Sequence, residues 1–122
     1  MGLATTHNCW HGSYGTFNWF RFNLGKQIGI DLQDYIEYSG NGKKSLNDIH
    51  HNLIPLFNHS DCEGILTPDE CKKIVKGLNN VLNNYNPDLV NYGDADYFKN
   101  KLIQFKNGCK KAIEANENVE FH

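Results

Sequence analysis

The run Thr67-Pro68-Asp69-Glu70-Cys71-Lys72-Lys73-Ile74-Val75-Lys76-Gly77-Leu78-Asn79-Asn80-Val81-Leu82 decides the fold class. Thr67 can cap a helix, Pro68 sits where a helix needs no N–H, and Glu70 follows the cap by three residues, so the stretch opens with a capping box. Behind it Cys71, Ile74, Val75, Leu78, Val81 and Leu82 fall on one side. Such a stripe has to be buried against other elements.

Two further segments supply partners for it. From Ser13 onward, Phe17, Phe20, Arg21, Leu24 and Ile28 recur at helical spacing, with Gly29 placed to stop the helix. Asp94 caps a last helix that carries Phe98, Leu102, Phe105, Cys109 and Ala112 or Ile113 and ends at Asn116-Glu117-Asn118. Between these, the spacing predicts a short helix over residues 30–38 capped by Asp31, and a loop over 39–44. Ser45 and Asp48 form an acidic variant of the capping box. They predict a helix that buries Leu46, Ile49, Leu53 and either Leu56 or Phe57, and that ends or bends near Pro55. The tail Val119-Glu120-Phe121-His122 alternates apolar and polar residues, which predicts an extended segment lying against the body beside the N-terminal segment. The expected architecture is mainly α: a single domain over residues 1–122, with about four helices and irregular or short-strand arms at both ends.

Composition sets outer bounds. The chain has 122 residues, 39% of them hydrophobic and 12% aromatic, which suits one modest core. A net charge of −2 gives no motive for binding nucleic acid or an anionic membrane. No apolar run is long enough to span a bilayer, and the opening residues lack a signal-peptide pattern, so a cytoplasmic location is expected. The start Met1-Gly2-Leu3-Ala4-Thr5-Thr6 fits a loose lipidation pattern, and Asn58-His59-Ser60 fits a glycosylation acceptor; both patterns are short. Cys9, Cys62, Cys71 and Cys109 form no closely spaced pair, so reduced thiols are expected, with Cys71 and Cys109 buried on helical stripes. Arg21 is the only arginine.

Three segments concentrate chemistry. The first, His7-Asn8-Cys9-Trp10-His11-Gly12-Ser13-Tyr14, places two imidazoles, a thiol, an indole and a phenol just before a helix start, where free N–H groups favour an anion. Tyr14 and Arg21, seven residues apart, can share a helix face, with the ring for stacking and the guanidinium for an oxyanion. Alternatively, Trp10, Tyr14 and Phe17 pack into the core and the histidines bond backbone. The second segment, residues 59–70, has the outline of a calcium loop, with Asp61, Glu63, Gly64 and Glu70 at matching positions and His59 where a hard cation wants aspartate. In the alternative there, Glu70 simply completes the capping box. A transition-metal shell would join His59 and Asp61 with His7 or His11. The third segment is the ending Glu120-Phe121-His122, which can dock beside the first; His50 and His51 are expected at the surface.

Together these motifs resemble a family of small uncharacterised phage and bacterial proteins. The likeness runs nearly end to end, with Glu63 where that family commonly has aspartate. The resemblance carries no activity. It implies that the three segments belong to one design, so that His7, Trp10, His11, His59, Ser60, Asp61, Glu120 and His122 converge.

Three functions follow as expectations. The leading one is a non-enzymatic binder of a small polar, nucleotide-like ligand, with Trp10 and Tyr14 stacking, Arg21 holding phosphate, and Ser60 and Asp61 bonding hydroxyls or a ring edge. In a phage setting it would sequester a host signalling molecule, with no cofactor. The second is a hydrolase whose metal ion is held by His59, Asp61 and an N-terminal histidine, or one with Cys9 or Cys62 as nucleophile. The third is a module that inhibits a host factor through its surface, its motifs being structural.

Overall fold

The computed structural model describes residues 2–122. Met1, the first residue of the lipidation pattern, lies outside them. The chain is mainly helical, and no helix of the described residues is long and apolar enough to cross a membrane.

Strand β1 (Gly2–Ala4) pairs antiparallel with β2 (His11–Ser13), and the chain runs directly from β2 into α1 (Tyr14–Gln27). Ser13 is the cap: its hydroxyl oxygen accepts from Thr16 N at 3.0 Å. The predicted stop holds, since α1 ends two residues before Gly29, which sits at φ 79°. The expected helix over residues 30–38 divides at Tyr35 into a 3-10 turn, Leu32–Asp34, and one turn of helix, α2 (Ile36–Ser39).

The helix expected from Ser45 does not form. A 3-10 turn over Leu46–Asp48 gives way to extended backbone at Ile49, and helix resumes only in α3 (Ile54–Phe57). Two causes act together. Pro55 has no N–H to give a continuous helix, but it fits the first turn of a new one. In addition, the Glu37 carboxylate accepts from the Ser45 hydroxyl and from Leu46 N, fixing the turn from outside in place of the expected Asp48. The apolar pattern survives the change, since Leu46, Leu53, Leu56 and Phe57 are all buried.

Strand β3 (Gly64–Leu66) leads into α4 (Pro68–Asn83), whose capping box is complete: Glu70 N donates to the Thr67 hydroxyl at 3.2 Å and Thr67 N to the Glu70 carboxylate at 3.0 Å. Helix α5 (Ala95–Ala115) packs along α4 with its stripe of Phe98, Leu102, Phe105, Cys109 and Ala112 buried. At its end Asn116 adopts left-handed φ and ψ of 53° and 47°, which turns the chain into β4 (Val119–Phe121). Among the described residues three long helices, with the single turns α2 and α3 beside them, surround a core whose centre is aromatic: Trp10 lies 5.2 Å from both Phe17 and Phe20, and Phe20 lies 5.6 Å from Phe98.

Candidate functional site

The three motifs meet, and the C-terminal strand joins them. On one edge β4 pairs antiparallel with β3, and on the other a Thr5 to Phe121 bridge ties it to the N-terminal segment. Ala4 and His122 exchange both main-chain hydrogen bonds at 2.9 Å. The His59 ring lies on Phe121, with 4.0 Å between ring centres. Its Nδ1 lies 2.8 Å from the Ser60 carbonyl and its Nε2 3.0 Å from the Ile65 carbonyl, so whichever nitrogen carries the proton donates to the loop's own backbone. Gly64, at φ 106°, lets that loop close, since a Cβ there would stand 3.2 Å from the imidazole. Ser60 bonds locally too, its hydroxyl accepting from Cys62 N at 3.2 Å.

Arg21 is not an anion contact. It is 5% exposed, its guanidinium donates to the carbonyls of Phe57 and His59 and to Asn18 Oδ1, and it lies over the Phe17 ring at 4.7 Å. Burial draws its pKa down, while neighbouring Tyr38 and Asp61 oppose the shift. Asp61 is reached through a relay, Asn18 Nδ2 donating to Asp61 Oδ2 at 3.0 Å. Arg21 therefore ties the loop of the second motif to α1. Arg21→Met keeps the apolar stem but strands two carbonyls, so it is expected to cost about 2–4 kcal/mol in urea unfolding. A loss below about 0.5 kcal/mol, the scatter of ordinary surface changes, would refute the tether.

The other expected site residues are dispersed. Trp10 is wholly buried, so it offers no stacking face to a ligand. Tyr14 is half-buried against the core. His11 is exposed in β2, where its carbonyl accepts from Lys101 Nζ at 2.9 Å. His7, at φ 61°, pairs with Glu117 at 3.0 Å and with the Thr6 hydroxyl at 3.0 Å. With Glu120 it lines a shallow recess of about 450 Å³. His122 is exposed, and it is bonded through its backbone.

The metal readings lose their geometry. Both His59 nitrogens face loop carbonyls and His7 pairs with Glu117, while among the described residues no three His, Cys, Asp or Glu side chains are grouped to hold a metal ion. The calcium-loop outline fails for its own reasons. Glu70 closes the capping box, Asp61 turns to Asn18, and α3 is a single turn where an entering helix would be needed. The thiols divide similarly. Cys9, Cys71 and Cys109 are buried, and the Cys109 thiol is pushed up by its contacts with the Cys71 and Cys9 thiols and by burial. Cys62 is exposed, with its sulfur 3.4 Å from the Ser60 hydroxyl. No imidazole hydrogen-bonds a thiol among the described residues, so the cysteine-nucleophile expectation has no base in place.

One further cavity draws on the motifs only through Ser13, at the helix start where the first motif ends. A cleft of about 430 Å³ lies between the start of α1 and residues 92–97, walled by Trp19, Tyr92 and Tyr97, with Ser13, Thr16 and Asp94 at its margin. Its construction follows from buried amides. Asn23, wholly buried in α1, accepts from Asn91 N at 2.8 Å and donates to Asn91 O at 3.2 Å. Trp19 Nε1 donates to the same carbonyl at 2.8 Å. Gln27 and Asn86 exchange two more bonds lower on the helix, at 2.8 and 3.0 Å. Gly93 is required here, because a Cβ would fall 2.5 Å from the Trp19 ring. Tyr92 itself sits at φ 61° and is 89% exposed, and Tyr97 is 43% exposed. The sequence held one signal for this cleft, two tyrosines flanking Gly93-Asp94 in an otherwise polar connection. Asn23, on an apolar helix, gave none.

A scan against protein-family models and searches of curated proteins and solved structures find no match for this chain.

Proposed function

We propose that this protein is a non-catalytic binder of a small polar ligand, taken up in the cleft formed by Trp19, Tyr92 and Tyr97. The observation that carries the reading is the wall composition: three aromatic side chains around one cavity, two of them substantially exposed. Concave sites with aromatic walls and a few convergent polar groups are the usual form of a small-molecule site. A tyrosine held solvent-exposed at positive φ costs conformational energy, a mark of positions retained for function. No histidine, cysteine or lysine lines the cleft, which favours binding over acid–base or nucleophilic chemistry there.

The nucleotide form of this reading loses the stacking once given to Trp10 and the phosphate contact once given to Arg21, since both side chains are buried. Any base would have to stack on the cleft aromatics instead. The resemblance to phage and bacterial proteins adds a setting, sequestration of a host signalling molecule, and the same titration covers it. Ligand-observed NMR with a panel of nucleosides, nucleotides, monosaccharides and choline is expected to find a binder that Tyr92→Gly abolishes. Glycine adopts positive φ freely, so the fold should melt at or above the wild-type temperature. A panel with no binder, or binding indifferent to Tyr92→Gly, would overturn the reading.

The contacts of His59 and Asp61 also agree with the view that the motifs are structural, whatever the ligand. That favours the interaction-module reading for those residues but identifies no partner surface.

A further inference from the structure

We infer that the cleft selects a cation, specifically a small alkylammonium ion with a quaternary or tertiary head. The inference rests on the cleft being the binding site, and narrows what it takes. Three features point the same way. The lining holds one carboxylate, Asp94, and no basic side chain, with the Lys101 ammonium outside it, 5.6 Å from the Tyr97 ring centre. No aliphatic side chain lines it, and its apolar area is ring surface, whose π faces attract cations lying within about 6 Å of their centres. Trp19 and Tyr97 adjoin in the wall, with ring centres 5.9 Å apart and planes inclined at 39°.

Asp94 is suited to a long-range rather than a crowded contact. As the cap of α5 it uses Oδ1 to accept from Asp96 N at 2.7 Å and Tyr97 N at 3.3 Å. Oδ2 accepts no hydrogen bond among the described residues. This one free acceptor oxygen decides the head group. A primary ammonium has three N–H donors to satisfy and would leave some unmet against ring walls, whereas a methylated head has none or one and presents a shell of positive methyl groups. A phosphate or carboxylate ligand, in contrast, would be repelled by Asp94.

The chain itself places one ammonium on a wall ring and another on a ring that adjoins a wall. Lys101 Nζ lies 5.6 Å from the Tyr97 ring centre, and Lys26 Nζ lies 5.3 Å from that of Phe22, which packs against Tyr92 at 6.5 Å. Tyr92 adds a platform that no lysine of the chain covers among the described residues, and it stands 89% exposed beside the carboxylate.

The test is isothermal titration of the full chain with choline and with its neutral isostere, 3,3-dimethylbutan-1-ol. Choline is expected to bind, and the isostere to bind about tenfold more weakly or worse, because only charge separates the two. Asp94→Asn keeps a residue equally able to cap α5, so it should leave the melting temperature near wild type while weakening choline by about tenfold. Tyr92→Gly should abolish choline binding. Equal binding of choline and isostere, or unchanged choline binding in Asp94→Asn, would overturn the inference. If choline fails to bind while a nucleoside or sugar binds and is lost in Tyr92→Gly, the alkylammonium assignment falls and the cleft remains the binding site. If nothing binds, both fall.

Discussion

Trp10→Ala is expected to destabilise the protein by about 3–5 kcal/mol, the cost typical of removing a large buried aromatic. Against a total stability of about 5–15 kcal/mol for a domain of ordinary size, that is a large fraction. The side chain is wholly buried, with Phe17 and Phe20 each 5.2 Å away and the Lys101 ammonium 4.7 Å from its ring centre. Its indole Nε1 is buried with no hydrogen-bond partner. Unlike most buried indoles, it contributes through packing and its ring face rather than through its N–H, and Trp10→Phe should recover much of the loss. Urea unfolding followed by circular dichroism separates the two outcomes. A variant that stays as stable as wild type but loses a ligand would restore Trp10 to a binding wall, as its place in the first motif suggested.

The difference between the expected and observed roles of Trp10 shows what was legible. Helices α1, α4 and α5 were readable because their signals are local: Ser13, Thr67 and Asp94 each cap through their own side chains, and the apolar residues behind them keep helical spacing. The Ser45 segment failed because the carboxylate of Glu37, on the preceding helix α2, fixed its first turn and Pro55 started a new one. Competition of this kind leaves no periodic mark in the sequence. The docked tail was legible as alternation, and Val119 and Phe121 do turn inward while Glu120 faces out.

The candidate site was legible in its convergence and not in its roles. His7, His59 and Asp61 spend their side chains on the chain itself, while Glu120 and His122 are tied to it through their backbone. Residue type alone does not distinguish an imidazole bonded to a carbonyl from one bonded to a ligand. The aromatic cleft escaped for a different reason. Trp19 and Tyr97 come from helices far apart in sequence, and Asn23 holds residue Asn91 across 68 positions, a pairing without periodic signature. The two clusters thus divide the labour: the motifs close the fold, and the cleft is left open beside it.

The central claim is that the motifs form one structural clasp, closed by the C-terminal strand through Phe121. Phe121 is 5% exposed, rests on His59, and meets Phe17 edge-on at 5.9 Å, so it contacts the second motif and α1 together. The direct test is the unfolding free energy of Phe121→Ala in urea. The clasp predicts a loss of about 3–5 kcal/mol, as for any buried phenylalanine, with unfolding still a single transition. A variant within about 0.5 kcal/mol of wild type, the range of ordinary surface substitutions, would mean that the tail is loose and the clasp does not exist.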